Sequence, residues 1–349
     1  MLADITDLLR CPACQSGPLT AEAFSRDDTG EIGDGVLVCA ACRDWYPVEA
    51  GLLEFLPPAL AYADDRRAFW GRHTDALTGL GLNPFGDGAA DADAAEKKLQ
   101  QSHFDWYANN ETQTWDAYER LPFWQAVDAM TFEGWRPKVA PGSRFLEVGC
   151  AQGRSLFNFM DLPITAVGFD ISKSMIRTAL DRYKSGDYTA RGTFFVGDAG
   201  AFPFRNETFE SVMLHGVLHH LPDPAASCGE IARLLKPGGR YFGFENNTSA
   251  LRALFDLLQR LNPLWYEEAG EHPLISGDDF RTWLAPAGLV IEEMRTSVYL
   301  PPHLLNMFSA TTARSFLTGT DRLMGALPFM KNNGGLIVVE AVKPSPSNA

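Results

Sequence analysis

Residues 147–153 read Glu-Val-Gly-Cys-Ala-Gln-Gly, directly after the apolar pair Phe145-Leu146. An apolar run that ends in an acidic residue and two glycines is how a buried strand gives way to a tight turn beneath a nucleotide. Gly149 and Gly153 let the backbone approach a ligand closely. The dinucleotide fingerprint G-x-G-x-x-G is not met, because Ala151 stands where its middle glycine belongs. Gln152 and Arg154 also crowd a turn that would have to cradle a pyrophosphate. A carboxylate at Glu147 is poorly placed for phosphate but suits a cationic ligand.

Outward from this turn, strand and helix signals alternate, as they do in parallel α/β folds. Strands are expected at 143–148, 164–169, 193–196, 210–214 and 239–244. A helix is expected over 224–236, with Asp223 as its cap, Pro224 in its first turn and Lys236-Pro-Gly-Gly239 as its stop. Two carboxylates follow strand ends. Asp170 lies 17 residues past Gly153, near where a ribose-binding acid is expected, and Asp198 follows the third strand, where it can accept from an adenine amino group. A ligand with an ammonium, a sulfonium and no phosphate fits this pattern, and S-adenosylmethionine (SAM) is such a ligand.

The stretches Val217-Leu-His-His-Leu221 and Leu234-Leu-Lys-Pro-Gly-Gly239 complete a resemblance. Residues 145–245 are similar to the class I SAM-dependent methyltransferases of the type 11-like group. The resemblance implies a Rossmann-like α/β sheet of seven strands whose last strand, here 335–342, runs antiparallel. It implies that Glu147, Gly149 and Gly153 frame the methionine end of the cofactor and that Asp170 holds the ribose hydroxyls. Ile171 and Met175 would pack on the adenine, Asp198 and Ala199 would read its edge, and His215 would lie near the sulfonium. The departure from the family pattern is Ala151.

The N-terminal stretch, 1–58, carries Cys11-Pro-Ala-Cys14 and Cys39-Ala-Ala-Cys42. Two C-x2-C knuckles supply the four sulfurs of a tetrahedral structural zinc. Two hairpins meeting at the metal are expected, and a segment this short gains from such a staple, zinc contributing roughly 10 kcal/mol or more. The runs LLRCPACQSGPL and LVCAACRDWYPVEAGLLEFLP resemble the small zinc-ribbon domains of the Trm112 type. Such domains serve as partners or appendages of methyltransferases, which implies a protein partner through this module. Its core is expected to be separate from that of the α/β domain.

The remaining segments are a helical linker or lid at 59–135 and a SAM domain at 136–349 with substrate-cap insertions at about 246–278 and 300–333. The linker aromatics Trp106, Tyr107, Trp115, Tyr118, Phe123 and Trp124 serve either core packing or a lid. Helical spacing of Leu251, Leu254, Phe255, Leu258 and Leu261 predicts an amphipathic helix in the first cap.

Charge and composition narrow the function. The net charge is −14, and residues 1–58 hold ten acidic and three basic residues. Nucleic-acid affinity rests on closely placed cations, so nucleic acid is disfavoured and a small-molecule methyl acceptor is expected. No apolar run reaches the roughly 20 residues of a membrane span, and no secretory signal is read at the N-terminus. A cytoplasmic location follows, with reduced cysteines. His215, His219 and His220 are candidate proton acceptors, with Tyr266 and His272 behind them. No Asn/Asp-Pro-Pro-Tyr run is present, which favours oxygen or carbon acceptors. The alternatives are an rRNA or tRNA base methyltransferase that uses the zinc module for substrate, and a non-catalytic adaptor with a vestigial SAM fold.

Overall fold

The structure is a computed structural model and describes residues 5–84, 93–110, 119–264 and 273–345. Among them eleven strands join in a single sheet. The strands expected around the Gly149 turn are β5 (Arg144–Val148), β6 (Thr165–Asp170), β7 (Arg191–Gly197), β8 (Phe209–His215) and β9 (Leu235–Asn246). They are apolar on both faces, as strands covered by helices on both sides must be. β5 pairs in parallel with β6 and β8, β6 with β7, and β8 with β9. β11 (Leu336–Val342) lies antiparallel between β9 and β10 (Val290–Ser297). This is the class I methyltransferase sheet. Its order reverses at β5, and ligands bind beyond the strand ends at such a switch point.

The sheet does not stop at seven strands. β1 (Leu19–Ala23), β2 (Gly35–Cys39), β3 (Trp45–Glu49) and β4 (Leu52–Phe55) form an antiparallel meander rather than two separate hairpins. β4 then pairs in parallel with the open edge of β7, Glu54 beside Val196 and Phe55 beside Gly197. A second seam joins Leu9 to Phe204 in an antiparallel bridge, with Arg10 N donating to the Pro203 carbonyl at 3.0 Å. The expectation of two separate cores is therefore corrected. Ile5, Leu9, Tyr46 and Phe55 share one buried cluster with Phe169, Phe195 and Phe204. The physical reason is edge pairing: β7 ends the α/β sheet with unpaired backbone groups, and β4 satisfies them.

Helices α1 (Ala63–Arg72), α2 (Thr74–Gly79), α3 (Ala94–Ala108) and α4 (Pro122–Trp135) lead into β5. α4 is core: Phe123, Trp124, Phe132 and Trp135 are buried with Phe145, Phe159, Phe242 and Phe244. Trp115 and Tyr118 lie outside the described residues. α5 (Lys173–Ser185) starts at Ser172, whose hydroxyl accepts from Met175 N. α6 (Pro224–Leu234) is capped by Asp223, which accepts from Ala226 N. It ends two residues early because Leu235 already begins β9. α7 (Ala250–Leu261), α8 (Gly277–Leu284), α9 (Pro302–Leu305) and α10 (Ala310–Gly325) complete the chain. No helix among the described residues is long and apolar enough to cross a membrane.

Candidate active site

The turn after β5 holds Gly149, Ala151 and Gly153 at φ of 66°, 46° and 85°. A Cβ on Gly149 would come within 2.7 Å of Val217, and one on Gly153 within 2.3 Å of the Phe157 ring, so neither position admits a side chain. Ala151 accepts the left-handed conformation that glycine would adopt without strain. Its N–H donates to Asp170 Oδ2 at 2.9 Å, which fastens the turn to the end of β6.

Asp170 is half-buried and accepts a second hydrogen bond, from Ser172 N at 2.9 Å. Burial pushes its carboxyl up to about 6, against the pull of the Ser172 and Ala151 amides. Asp198, just beyond β7, accepts from Gly200 N at 2.8 Å and from Lys97 Nζ at 3.0 Å. Gly149, Ala151, Asp170, Ile171, Asp198, Ala199, His215 and His220 all line one cleft at the carboxyl ends of the parallel strands.

Three expected cofactor residues lie elsewhere. Glu147 points below the turn, where its Oε2 accepts from Leu156 N at 2.9 Å. Burial raises its carboxyl well above the usual range, only partly offset by that amide. It braces the loop rather than facing the cleft. Met175 is fully buried in the first turn of α5. Gly153 packs on Phe157 behind the loop.

The three histidines separate. His215 ends β8, stacks on Phe244 at 4.0 Å between ring centroids, and keeps its Nε2 shielded from solvent with no hydrogen-bond partner. Burial, then the Arg154 charge, holds its imidazole well below the ordinary histidine range, so it is neutral at physiological pH. His219 is committed to Glu245, its Nδ1 2.6 Å from Oε2. Glu245 Oε1 in turn accepts from Val217 N and Leu218 N. His219 is thus turned into the core and does not line the cleft, which removes it as a base there. His220 lines the cleft, with its ring edge toward Phe104. Tyr266 and His272 lie outside the described residues.

Helix α3 covers this cleft through Lys97, Gln100 and Phe104. Gln100 donates to the His220 carbonyl at 3.2 Å, and Gln101 to the Ile171 carbonyl at 3.2 Å. Asp105 accepts from Ser172 Oγ at 2.6 Å and Ser174 N at 3.0 Å. One helix therefore touches the loops after β6, β7 and β8. Sequence reasoning did not find these residues. The spacing of Lys97, Gln100 and Phe104 marks one helix face, but nothing local says what that face meets.

At the N-terminal end of the chain, Cys11 and Cys14 ahead of the meander and Cys39 and Cys42 at its β2–β3 turn bring their sulfurs within 4.8 Å of one another. Cys11 and Cys42 are 3.6 Å apart, as are Cys14 and Cys39. Sulfurs about 2.3 Å from a tetrahedral zinc stand about 3.8 Å apart, so this set fits a metal. The Tyr46 hydroxyl lies 2.9 Å from Cys11 Sγ and ties the cluster to the core. Cys150, beside the glycine turn, is a buried filler whose thiol is pushed well up by burial.

Comparison with known proteins agrees with this geometry. Residues 146–243 match the family described as a methyltransferase domain, and residues 3–51 match the Trm112p-like protein family. A ubiquinone biosynthesis O-methyltransferase of Xanthomonas axonopodis pv. citri is 28% identical over 64% of this chain and 95% of its own length. The 27-O-demethylrifamycin SV methyltransferase of Amycolatopsis mediterranei is also 28% identical, over 42% of this chain and 54% of its own. Among solved structures, a chain of the complex between the Haloferax volcanii Trm112 methyltransferase activator and a methyltransferase aligns over 69% of this chain and 97% of that one, at 21% identity and a TM-score of 0.49.

Proposed function

Taking as premise that the chain is a SAM-dependent methyltransferase, we propose that it methylates an oxygen of a small, at least partly apolar acceptor. When bound, SAM supplies the electrophilic methyl group, and the protein has only to hold donor and acceptor aligned and to manage one proton. Asp170 and Asp198, at the ends of adjacent strands on the cleft wall, would accept from the ribose and adenine of the cofactor. Gly149 and Ala151 leave room for the rest of it.

The observation that carries the proposal is His215. Its neutral ring lines the cleft, and its Nε2 has no partner. A buried polar atom without a partner is uncommon unless a ligand completes it. A neutral imidazole can take a proton from an acceptor hydroxyl as the methyl group transfers. His220 is the second group within the cleft that can orient the acceptor. The names of the relatives, among them O-methyltransferases of ubiquinone biosynthesis, support oxygen as the receiving atom.

The cysteine cluster is read as a structural zinc site that anchors the meander on the edge of the SAM fold. With six free cysteines, such a site fits a reducing compartment such as the cytoplasm. The acidic charge of residues 1–58 opposes RNA as the acceptor. The test is a methylation assay with labelled SAM against small-molecule extracts and against unmodified total RNA. Label is expected in a small, solvent-extractable product. Label in one defined RNA base would overturn the reading.

A further inference from the structure

Among the described residues, twelve large apolar side chains are conspicuously exposed, and nine of them fall within 250–264 and 300–333. They are not scattered. On α7, Leu254, Leu257 and Leu261 recur on one face, and Leu261 is 74% exposed. Met307, 77% exposed, and Phe308 follow α9, and Phe308 meets Phe316 of α10 at 5.1 Å. His303 Nε2 lies 2.7 Å from the carbonyl of Asn262, which joins the end of α7 to α9. The inner sides of these helices are seated on the core by Phe255, Leu305 and Leu317, so the outward apolar residues are surplus to folding. Apolar faces this large on a soluble surface mark an interaction site.

Charge says what it meets. The chain carries −14, yet these two stretches hold five basic residues and two acidic ones. Arg252 pairs with Asp256, and Arg314 with Glu133. Asp321 is turned inward to Ser297 and the Val298 amide. Arg260, Arg322 and Lys331 are exposed among the apolar residues and have no ionic partner among the described residues. An apolar helix face edged with free cations is the composition of an interfacial segment. We propose that this face docks on a lipid bilayer bearing anionic headgroups. The negative remainder of the chain is repelled by the same surface, so only this side approaches it. Phe255 and Leu305 share a buried cluster with Phe244, the residue stacked on His215, so the docked face lies over the side of the sheet that carries the candidate base.

The test is co-sedimentation of the full chain with vesicles of phosphatidylcholine alone and of phosphatidylcholine mixed with phosphatidylglycerol. Binding should be roughly tenfold or more stronger to the mixed vesicles and should weaken as salt rises. A triple charge reversal, Arg260→Glu, Arg322→Glu and Lys331→Glu, should abolish that preference. A second variant, Leu257→Glu with Leu261→Glu, should lose binding to both vesicle types. All substituted positions are exposed, so unchanged melting and SAM affinity should certify the fold. Absence of the native chain from anionic vesicles, or equal binding by the charge-reversed variant, would overturn the proposal. So would a dimer in light scattering that Leu261→Glu converts to monomer, because the face would then be an interface between copies.

Discussion

Saturating the chain with SAM should raise the temperature at which its cysteine cluster releases zinc. The cleft and the cluster share no ligand residue, so the link has to pass through the sheet. Separating the meander from β7 would expose Ile5, Leu9, Tyr46 and Phe55, all buried against the α/β core. At about 1.5–3 kcal/mol for each large side chain, that is about 6–12 kcal/mol. The total stability of a domain is itself about 5–15 kcal/mol. The meander therefore cannot open alone, and the chain should unfold in one transition. SAM at a hundredfold excess over its Kd adds about 2.7 kcal/mol to the folded state, which moves the midpoint by a few degrees in a chain of this size. The assay is a thermal ramp read by circular dichroism and by a zinc-binding dye. Both curves should shift together, and both shifts should shrink together in Asp170→Asn, whose weaker cofactor binding leaves less stabilisation at the same SAM concentration. A dichroism midpoint that rises while zinc release stays put would refute the shared core.

Three further outcomes are expected. Asp170→Asn should weaken SAM binding by about 1.5–3 kcal/mol in calorimetry, the cost of lost hydrogen bonds to a charged acceptor. The carboxyl at about 6 also sets a pH dependence. It sits above the unfolded value of about 3.9, so the folded state holds the extra proton between these pH values. The Asp170 contribution to apo stability should therefore rise as pH falls from 6 to 4 while SAM affinity falls, and the difference between wild type and Asp170→Asn unfolding curves measures it. His215→Asn should lower kcat by about 10²–10⁴ with SAM affinity unchanged, and an undiminished kcat would remove His215 as the proton acceptor. Ala151→Gly should raise the free energy of unfolding by roughly 0.5–1 kcal/mol, read as a higher denaturant midpoint at unchanged slope, since it relieves a left-handed alanine at φ 46°.

The five parallel strands of the α/β sheet were legible because buried parallel strands read as short apolar runs that stop near glycine, aspartate or asparagine. The cleft carboxylates Asp170 and Asp198 were legible for the same reason, because a strand end tells where the next residue stands. What could not be read depends on partners far away in the chain. Nothing in Leu52–Phe55 names Val196 and Gly197 as its neighbours, although that pairing joins the cysteine-bearing module to the sheet. Glu147 closes an apolar strand, and only the position of the Leu156 amide decides that its carboxylate turns below the loop.

The two adjacent histidines show the rule at its smallest scale. His219 and His220 are chemically identical, and the 3-10 turn over Leu218–His220 sends them in different directions. The choice is made by Glu245, at the end of β9 and 26 positions away from His219. A fully buried carboxylate is costly unless its lone pairs are filled. Val217 N and Leu218 N fill Oε1, and the remaining oxygen needs a donor, which His219 Nδ1 is placed to give. Satisfying that carboxylate turns His219 inward and leaves His220 on the cleft wall beside Phe104. The exposed site thus takes its histidine from a demand set inside the core, and a variant that removes the demand, Glu245→Gln, should loosen the turn and the cleft wall together.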